Sequence, residues 1–238
     1  MASERNGRWG KAIAVPGLAA LNTGRDAAVW SVSCASAGNC AAGGYYTGRH
    51  QNTQGFVAVE RNGRWGTAIV VPGLAALNTG GFAAVSSLSC PSPGNCAAGG
   101  FYARGSRQEA QVFVASERNG AWGKAIAVPG LAALNTGSGD LQMPALSCAS
   151  AGNCAVGGIY SDRSHNTQGF VASEDNGVWG TAIQVPGLGA LNKGGFAEVS
   201  SLSCPSPGNC AAGGDYTDRA GNSQGFVTLS RSKLGFGW

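Results

Sequence analysis

Four copies of one polar loop carry the residue types best suited to bind a ligand. Each copy holds a tyrosine and at least one arginine, and three hold an asparagine. An aromatic ring can stack on the C–H face of a sugar, while guanidinium and amide groups hydrogen-bond its hydroxyls. The loops therefore predict weak glycan sites, or sites for another small polar ligand, strengthened by multivalency. The candidates are Tyr46, Arg49 and Asn52; Tyr102 and Arg104; Tyr160, Arg163 and Asn166; and Tyr216, Arg219 and Asn222.

A structural role for the same loops is the competing interpretation. In it, the tyrosine packs beneath the loop, the arginine faces water, and the amides cap the turn backbone. A second ring of candidate sites is a repeated Leu-Asn-x-Gly link, and the sequence does not choose between the two rings. The link occurs at Leu21-Asn22, Leu77-Asn78, Leu134-Asn135 and Leu191-Asn192.

Tryptophan occurs both inside and outside the repeat. Trp9, Trp65, Trp122 and Trp179 recur at spacings of 56, 57 and 57 residues. A large apolar side chain at one place in every unit predicts packing between units, with a ligand platform as the alternative. Trp30 has no tryptophan at its equivalent positions, so repeat symmetry does not require it. It is a further candidate ligand-binding residue, with the filling of an irregular contact or the lining of a central channel as the alternatives.

Eight cysteines form four pairs, each with five residues between its members. Paired strands on either side of such a turn can bring two cysteines within disulfide range. Four disulfides are predicted, with buried thiols or a metal site as alternatives, because zinc sites need two close pairs that converge. Disulfides would make the protein secreted. The predicted pairs are Cys34 with Cys40, Cys90 with Cys96, Cys148 with Cys154, and Cys204 with Cys210.

An enzyme is the weaker interpretation. Catalysis needs one asymmetric set of groups, whereas most serines here occupy repeated positions, and the chain has only two histidines. It contains no phosphate-loop or His-Glu-x-x-His motif, and no catalytic residue, metal or cofactor is predicted. A hydrolase using the least symmetric region remains an alternative. That region holds Asp26, Trp30, Asp140, Met143 and Glu198.

Internal repetition predicts the architecture. The chain reads as one domain, 1–238, of four units, approximately 17–72, 73–129, 130–186 and 187–238 plus 1–16. In the second unit, four strands are predicted, with an Asn119-Gly120 hairpin turn between the last two. These strands are Val85–Cys90, Cys96–Tyr102, Gln111–Glu117 and Trp122–Val128.

Four strands in about 56 residues match the size of a β-propeller blade. We therefore expect an all-β, four-bladed propeller, with an open β-solenoid as the alternative. The chain starts with a fourth strand, Trp9–Val15, and ends with three strands that lack one. Pairing this segment with Gln224–Leu229 would complete the last blade and close the ring, removing an unpaired edge.

The repeated strings resemble those of secreted actinobacterial repeat proteins of unassigned function. The resemblance rests on Ser203-Cys204-Pro205-Ser206-Pro207-Gly208-Asn209-Cys210 and Gln224-Gly225-Phe226-Val227. The Asn-Gly-x-Trp turn is also similar to the Asp-box-like turns of sialidase-type propellers, although the Asp-x-Gly pattern is incomplete. The resemblance covers essentially the whole chain and implies a repeat architecture rather than a particular activity.

Composition narrows the function classes. The chain has 238 residues with 40 glycines, and a net charge of +4 that is spread along the repeats, so nucleic acid is not an expected partner. No apolar run reaches the length of a membrane span, and the first residues lack an apolar signal region. The predicted function is a non-catalytic, lectin-like binding module. A structural or protein-interaction scaffold, natural or designed, is the second alternative.

Overall fold

Four antiparallel sheets, one from each unit, make up the protein in the computed structural model, which describes residues 4, 5, 7–106, 109–137 and 144–230. The first sheet comprises β3 (Ala27–Ser36), β4 (Asn39–Thr47), β5 (Thr53–Arg61), β6 (Arg64–Trp65) and β7 (Ile69–Val70). The second comprises β8 (Ala83–Ser92), β9 (Asn95–Arg104), β10 (Glu109–Arg118), β11 (Ala121–Trp122) and β12 (Ile126–Ala127).

The third and fourth sheets repeat this order. The third comprises β13 (Ala145–Ser150), β14 (Asn153–Ser161), β15 (Thr167–Asp175), β16 (Val178–Trp179) and β17 (Ile183–Gln184). Among the described residues, the fourth has three strands, β18 (Ala197–Ser206), β19 (Asn209–Thr217) and β20 (Ser223–Leu229). A short hairpin of β1 (Glu4–Arg5) and β2 (Arg8–Trp9) precedes the four sheets.

The links between units contain single helical turns. These are α1 (Leu18–Leu21), α2 (Leu74–Leu77), α3 (Leu131–Leu134) and α4 (Leu188–Leu191). A 3-10 turn, Arg49–Gln51, lies in the first polar loop. None of the described helices is long and apolar enough to cross a membrane.

The predicted fourth strand is split into two short pieces in the second unit. Trp122 pairs with Glu117 and Ile126 pairs with Val114, but the residues between them leave the ladder. The Ala125 amide instead donates to the Pro72 carbonyl of the preceding link, at 2.7 Å. The outer strand therefore divides its hydrogen bonds between its own sheet and the link that leads into it.

The predicted Asn-Gly hairpins are confirmed by backbone conformation. Asn119 and Gly120 both have positive φ, 48° and 83°, as do Asn62-Gly63 and Asn176-Gly177 at the equivalent turns. Two consecutive positive φ values characterise the tight hairpin turn whose twist matches that of paired strands.

All four predicted disulfides are present, and none of the eight cysteines is free. Each bridge joins adjacent strands of one sheet, with Cα–Cα distances of 3.9 to 4.1 Å. Within the first and third sheets the two cysteines lie directly opposite each other. The buried-thiol and metal alternatives are therefore wrong for these residues. The bridges join Cys34 to Cys40, Cys90 to Cys96, Cys148 to Cys154, and Cys204 to Cys210.

Successive sheets pack face to face around buried phenylalanines. Phe56, Phe113 and Phe170 occupy the same place in three units and are completely buried. One cluster joins Ala41 and Val57 of the first sheet to Val85 and Leu88 of the second. The core is thus repeated between sheets rather than gathered in one centre.

The predicted closing pair is not formed among the described residues, which corrects that part of the sequence interpretation. Trp9 pairs with Glu4, and within the described part of the chain β20 pairs with β19 alone. Gly7 at the turn of this hairpin has a positive φ of 74°, as have Gly63, Gly120 and Gly177 in the other outer hairpins. Whether four sheets close depends on the rotation between neighbouring sheets, which the pattern within one unit does not determine.

Candidate functional site

The tyrosines of the predicted loop sites lie largely inside the sheets. Tyr46, Tyr102 and Tyr160 are buried in three separate core clusters, and Tyr216 is half-buried against a fourth. Burial raises the pKa of Tyr46 and of the other two buried hydroxyls. These rings support the loops from below and offer little surface for a sugar to stack on.

The arginines of the same loops face solvent. Arg49, Arg104, Arg163 and Arg219 are exposed, and so are Asn52 and Asn222, whereas Asn166 is half-buried. The loops therefore present guanidinium and amide groups without the aromatic face. Sugar binding there stays a prediction that rests on these polar groups alone.

An aspartate organises the third loop. Asp162 Oδ1 accepts the backbone N–H groups of Ser164 at 2.8 Å and Asn166 at 3.0 Å, while its Oδ2 accepts Gln168 Nε2 at 3.1 Å. Burial alone would raise the pKa of Asp162, but these hydrogen bonds outweigh it and lower the pKa. Asp218 repeats the arrangement in the fourth loop.

The asparagines of the links connect neighbouring sheets. Asn135 Nδ2 donates to the Ala110 carbonyl of the second sheet at 3.0 Å, and its Oδ1 accepts the Ser161 amide of the third at 2.9 Å. Asn78 and Asn192 donate in the same way to Thr53 and Thr167. The Nδ2 groups of all three asparagines thus tie a link to a neighbouring sheet, whereas Oδ1 of Asn78 and of Asn192 is buried without a hydrogen bond.

Trp30 belongs to an aromatic patch between the first two sheets. Its ring centroid lies 4.9 Å from that of Tyr45 and 6.0 Å from that of Phe101, which stacks on Phe82 at 5.6 Å. The Tyr45 hydroxyl lies 3.1 Å from Asp26 Oδ1, and burial followed by this hydrogen bond raises the pKa of Tyr45. Trp30 remains 40% exposed.

Two carboxyl groups meet in the fourth sheet. Glu198 lies opposite Asp215 in the strand register, and burial, then the charge and hydrogen bond of Asp215, raise the pKa of Glu198. Asp140 and Met143 of the same region lie outside the described residues.

Two equivalent cavities lie between successive sheets at their outer strands. The cavity between the first and second sheets has a volume of about 300 Å³, and its counterpart between the second and third sheets about 270 Å³. The first is lined by residues that include Arg61, Ile69 and Trp122. The second has Arg118, Ile126 and Trp179 at the same repeat positions, together with Glu174.

Glu174 lines the second cavity, whereas its equivalent Glu117 is not among the residues that line the first, and each glutamate pairs with an arginine of the preceding sheet. Arg61 Nη2 lies 3.2 Å from Glu117 Oε1, and Arg118 Nη2 lies 3.5 Å from Glu174 Oε1. Both carboxylates are fully buried. Burial raises the pKa of Glu117 and Glu174, against the lowering effect of their hydrogen-bond partners and the arginine charge.

Polar atoms at these cavities lack partners. Within the described part of the chain, Oε2 of both glutamates and Nε1 of Trp122 are buried without a hydrogen bond. Buried polar groups are nearly always satisfied in proteins, so unsatisfied ones indicate a water or ligand. The Glu174 carboxylate can accept a hydroxyl from a ligand in the second cavity, and the Trp122 indole N–H can donate to one in the first.

Sequence reasoning missed these cavities, although the repeat carries a signal for them. A glutamate stands five residues before each of the four repeated tryptophans, at Glu4, Glu60, Glu117 and Glu174. The predicted packing of Trp122 and Trp179 between sheets is confirmed, but both rings also line a cavity. Trp9 differs, since 71% of its surface is exposed.

The chain matches no protein family model and no curated protein. Among solved structures it is similar to the Hadza microbial sialidase Hz136, with a TM-score of 0.52 and 8% identity over 85% of this chain and 45% of that one. A protein of unknown function from Dyadobacter fermentans matches with a TM-score of 0.45 and 9% identity, over 82% and 50%.

A third similar structure is the fucose-recognising lectin of Aleuria aurantia, described as a six-bladed β-propeller. It matches with a TM-score of 0.31 and 10% identity over 89% of this chain and 80% of that one. The chain spans half the length or less of the first two structures. At these identities the similarity concerns the fold alone.

Proposed function

We propose that this protein is a non-catalytic carbohydrate-binding module in which the repeated cavities between sheets each hold one sugar. The observation that carries the proposal is the buried carboxylate with an unpartnered oxygen, held by an arginine and accompanied by a cavity-lining tryptophan, in two equivalent copies. Repetition favours multivalent binding, since each site alone would be shallow.

The cavity chemistry suits a pyranose. A carboxylate accepts hydrogen bonds from sugar hydroxyls, a guanidinium donates to them, and the apolar C–H face packs on a tryptophan or isoleucine. Arg118 is half exposed while its partner Glu174 is buried, so the guanidinium can contact both the carboxylate and a ligand. A volume near 300 Å³ is at the lower end of small-molecule sites and fits one monosaccharide unit.

We infer that the protein is secreted. Four disulfides in one chain are typical of an oxidising compartment.

The test is a glycan array on the oxidised protein, followed by calorimetry with the sugar that binds. Arg118→Met should remove one site per chain and leave the site at Arg61 intact. Arg163→Met, in the third polar loop, is the matched control and should leave the stoichiometry unchanged.

If Arg163→Met lowered the number of sites and Arg118→Met did not, the sites would lie in the polar loops. If no glycan bound, a protein-interaction scaffold would be favoured. Loss of all binding in Arg118→Met together with loss of the native circular dichroism spectrum would mark a folding defect. In that case Arg118→Lys, which keeps the charge but not the planar fork, replaces it and should weaken binding at one site.

A further inference from the structure

One set of side chains on the first sheet departs from the repeat. Asp26, Trp30 and Tyr45 occur together in the first unit alone, although the units are otherwise closely similar in sequence. The fold of a unit does not require this combination, so it is a candidate for a function of its own. Counted from the cysteines of each unit, the equivalents are Phe82, Asp140 and Phe196 for Asp26; Ser86, Pro144 and Ser200 for Trp30; and Phe101, Ile159 and Asp215 for Tyr45.

The three side chains form a connected group at the aromatic patch. The Tyr45 hydroxyl donates to Asp26 Oδ1 at 3.1 Å, and the ring centroids of Tyr45 and Trp30 are 4.9 Å apart. Phe101 of the second sheet lies 6.0 Å from Trp30 and stacks on Phe82. A carboxylate thus borders a group of four aromatic rings.

Part of this group is accessible from solvent. Trp30 is 40% exposed, Asp26 is exposed and Tyr45 is half-buried, whereas Phe101 is buried. The equivalent position in the second sheet holds Ser86, so the strand forms without an aromatic side chain there. Phe101 therefore supports the patch from within, while Trp30 and Tyr45 can contact a ligand.

The Asp26 carboxylate has no cationic partner within the described part of the chain. The ion pairs found there are Arg61 with Glu117 and Arg118 with Glu174, so Arg25, the neighbour of Asp26 in sequence, does not pair with it. The backbone holds the residue in place, since the Thr47 amide donates to the Asp26 carbonyl at 2.7 Å. The patch therefore combines aromatic surface with an unbalanced negative charge.

The inclination of the rings favours a compact cation over a sugar. The planes of Trp30 and Tyr45 differ by 59°, and those of Trp30 and Phe101 by 36°. The flat face of a pyranose can stack on only one of two such rings. An ammonium group is compact and is attracted to the face of every ring whose centroid lies within ~6 Å, and the nearby carboxylate adds to that attraction.

We propose that Asp26, Trp30 and Tyr45, supported by Phe82 and Phe101, bind a small organic cation that carries a quaternary ammonium group. The ammonium lies against the Trp30 and Tyr45 rings, and Asp26 balances its charge. A quaternary group suits this surface because it needs no hydrogen-bond acceptor, whereas a primary ammonium has three donors to satisfy. The inference does not depend on the proposed sugar sites, because the patch shares no residue with the two cavities.

A ligand-observed NMR titration of the oxidised protein with choline tests the site. The control compound is the neutral isostere of choline, in which a tert-butyl group replaces the trimethylammonium group. Choline should bind about tenfold more tightly, because the isostere has the same shape without the charge. Equal binding of the two compounds, or no binding of choline, overturns the proposal.

Trp30→Ser removes the ring that is most exposed in the patch. It should weaken choline binding by about tenfold with an unchanged circular dichroism spectrum, since serine is the native residue at positions 86 and 200. Trp9→Ser is the matched control, because Trp9 is 71% exposed and lies outside the patch, and it should bind choline as the wild type does. An unchanged affinity in folded Trp30→Ser, or an equal loss in the control, overturns the proposal.

Asp26→Asn tests the charge separately and also serves if Trp30→Ser does not fold. The asparagine keeps an oxygen that can accept the Tyr45 hydroxyl, so the packing is retained. This variant should weaken the binding of choline and leave the binding of its neutral isostere unchanged. The same change for both compounds, or none for choline, overturns the assignment of a cation.

Two further measurements identify the source of the group and keep the site apart from the sugar cavities. Sedimentation with phosphatidylcholine vesicles that Trp30→Ser abolishes would assign the site to lipid headgroups, and choline binding without sedimentation would assign it to free solutes. Arg118→Met should leave choline binding unchanged even if it removes a sugar site. Loss of choline binding in a folded Arg118→Met variant would place the cation in the cavity and overturn the proposal.

Discussion

Arg61 in the first sheet and Glu117 in the second form an ion pair, with 3.2 Å between Nη2 and Oε1. The arginine side chain is 55% exposed and the glutamate side chain 0% exposed. The same Nη2 also donates to the Gly120 carbonyl at 2.6 Å. An exposed cation thus contacts a buried carboxylate across the interface between the first and second sheets. Arg118 and Glu174 form the equivalent pair between the second and third sheets.

The buried glutamates should make stability depend on pH. The pKa of Glu117 and Glu174 is raised above 4.5, so the folded state binds these protons more tightly than the unfolded state. Their contribution to the free energy of unfolding is therefore greatest in acid, and falls as pH rises from 4.5 through the raised pKa. The Glu117→Gln/Glu174→Gln variant should lack this fall.

Urea unfolding with intact disulfides, at a series of pH values from about 4 to about 7, measures this effect. The difference between variant and wild type should increase in favour of the variant as pH rises. Glu109→Gln, an exposed glutamate at the other end of β10, is the control and should not change the slope. Parallel pH profiles for wild type and the double variant would contradict the expectation.

The strands and disulfides could be predicted from sequence because their causes are local. Alternating small and apolar residues between Asn-Gly and Pro-Gly turns define the strands, and a five-residue spacing brings each cysteine pair together. The ring could not be predicted in the same way. Pairing of Trp9–Val15 with β20 depends on the summed rotation across the three interfaces between successive sheets. The sequence pattern of a single unit does not determine that rotation.

The candidate site was harder to predict than the fold. Arg61 and Glu117 are 56 residues apart and meet only because successive sheets pack in register. The conspicuous loop tyrosines, by contrast, are adjacent to polar residues in sequence while their rings point into the core. Tyr46 pairs with Gln54 inside the sheet rather than lying in the loop, which explains why its ring is part of the core.

Asp162 should titrate below the usual value for an aspartate. Three hydrogen bonds to its carboxylate lower its pKa from 3.8. They therefore stabilise the folded protein at pH values above 3.8, and this stabilisation is lost as the pH falls through the lowered pKa. In NMR spectra, the amide protons of Ser164 and Asn166 should shift with a midpoint below pH 3.8. Asp162→Asn should abolish that titration, and a midpoint at or above 3.8 in the wild type would contradict the loop geometry.

Each disulfide should contribute a modest amount of stability. Cys148 and Cys154 close a short loop with a sequence separation of 6, so the loss of chain entropy on cross-linking the unfolded state is small. Cys148→Ala/Cys154→Ala should lower the free energy of unfolding by about 2 kcal/mol in urea. The free energy of unfolding of the fully reduced wild type gives the combined contribution of the four bridges as an upper limit. A double variant as stable as the wild type would contradict the expectation that this bridge stabilises the protein.

Trp30 should stabilise the joint between the first two sheets without serving the sugar sites. Trp30→Ser introduces the residue found at the equivalent positions 86 and 200, so the strand can accept it. Losing the ring contacts with Tyr45 and Phe101 should cost about 1–2 kcal/mol in urea unfolding, at roughly 0.5–1.5 kcal/mol per aromatic pair. Tyr45→Phe, which keeps the ring and removes only the hydrogen bond to Asp26, is the control and should cost less.

Calorimetry on Trp30→Ser should give the wild-type number of sugar sites, and the loss of a site would instead make this exposed aromatic patch part of the binding surface.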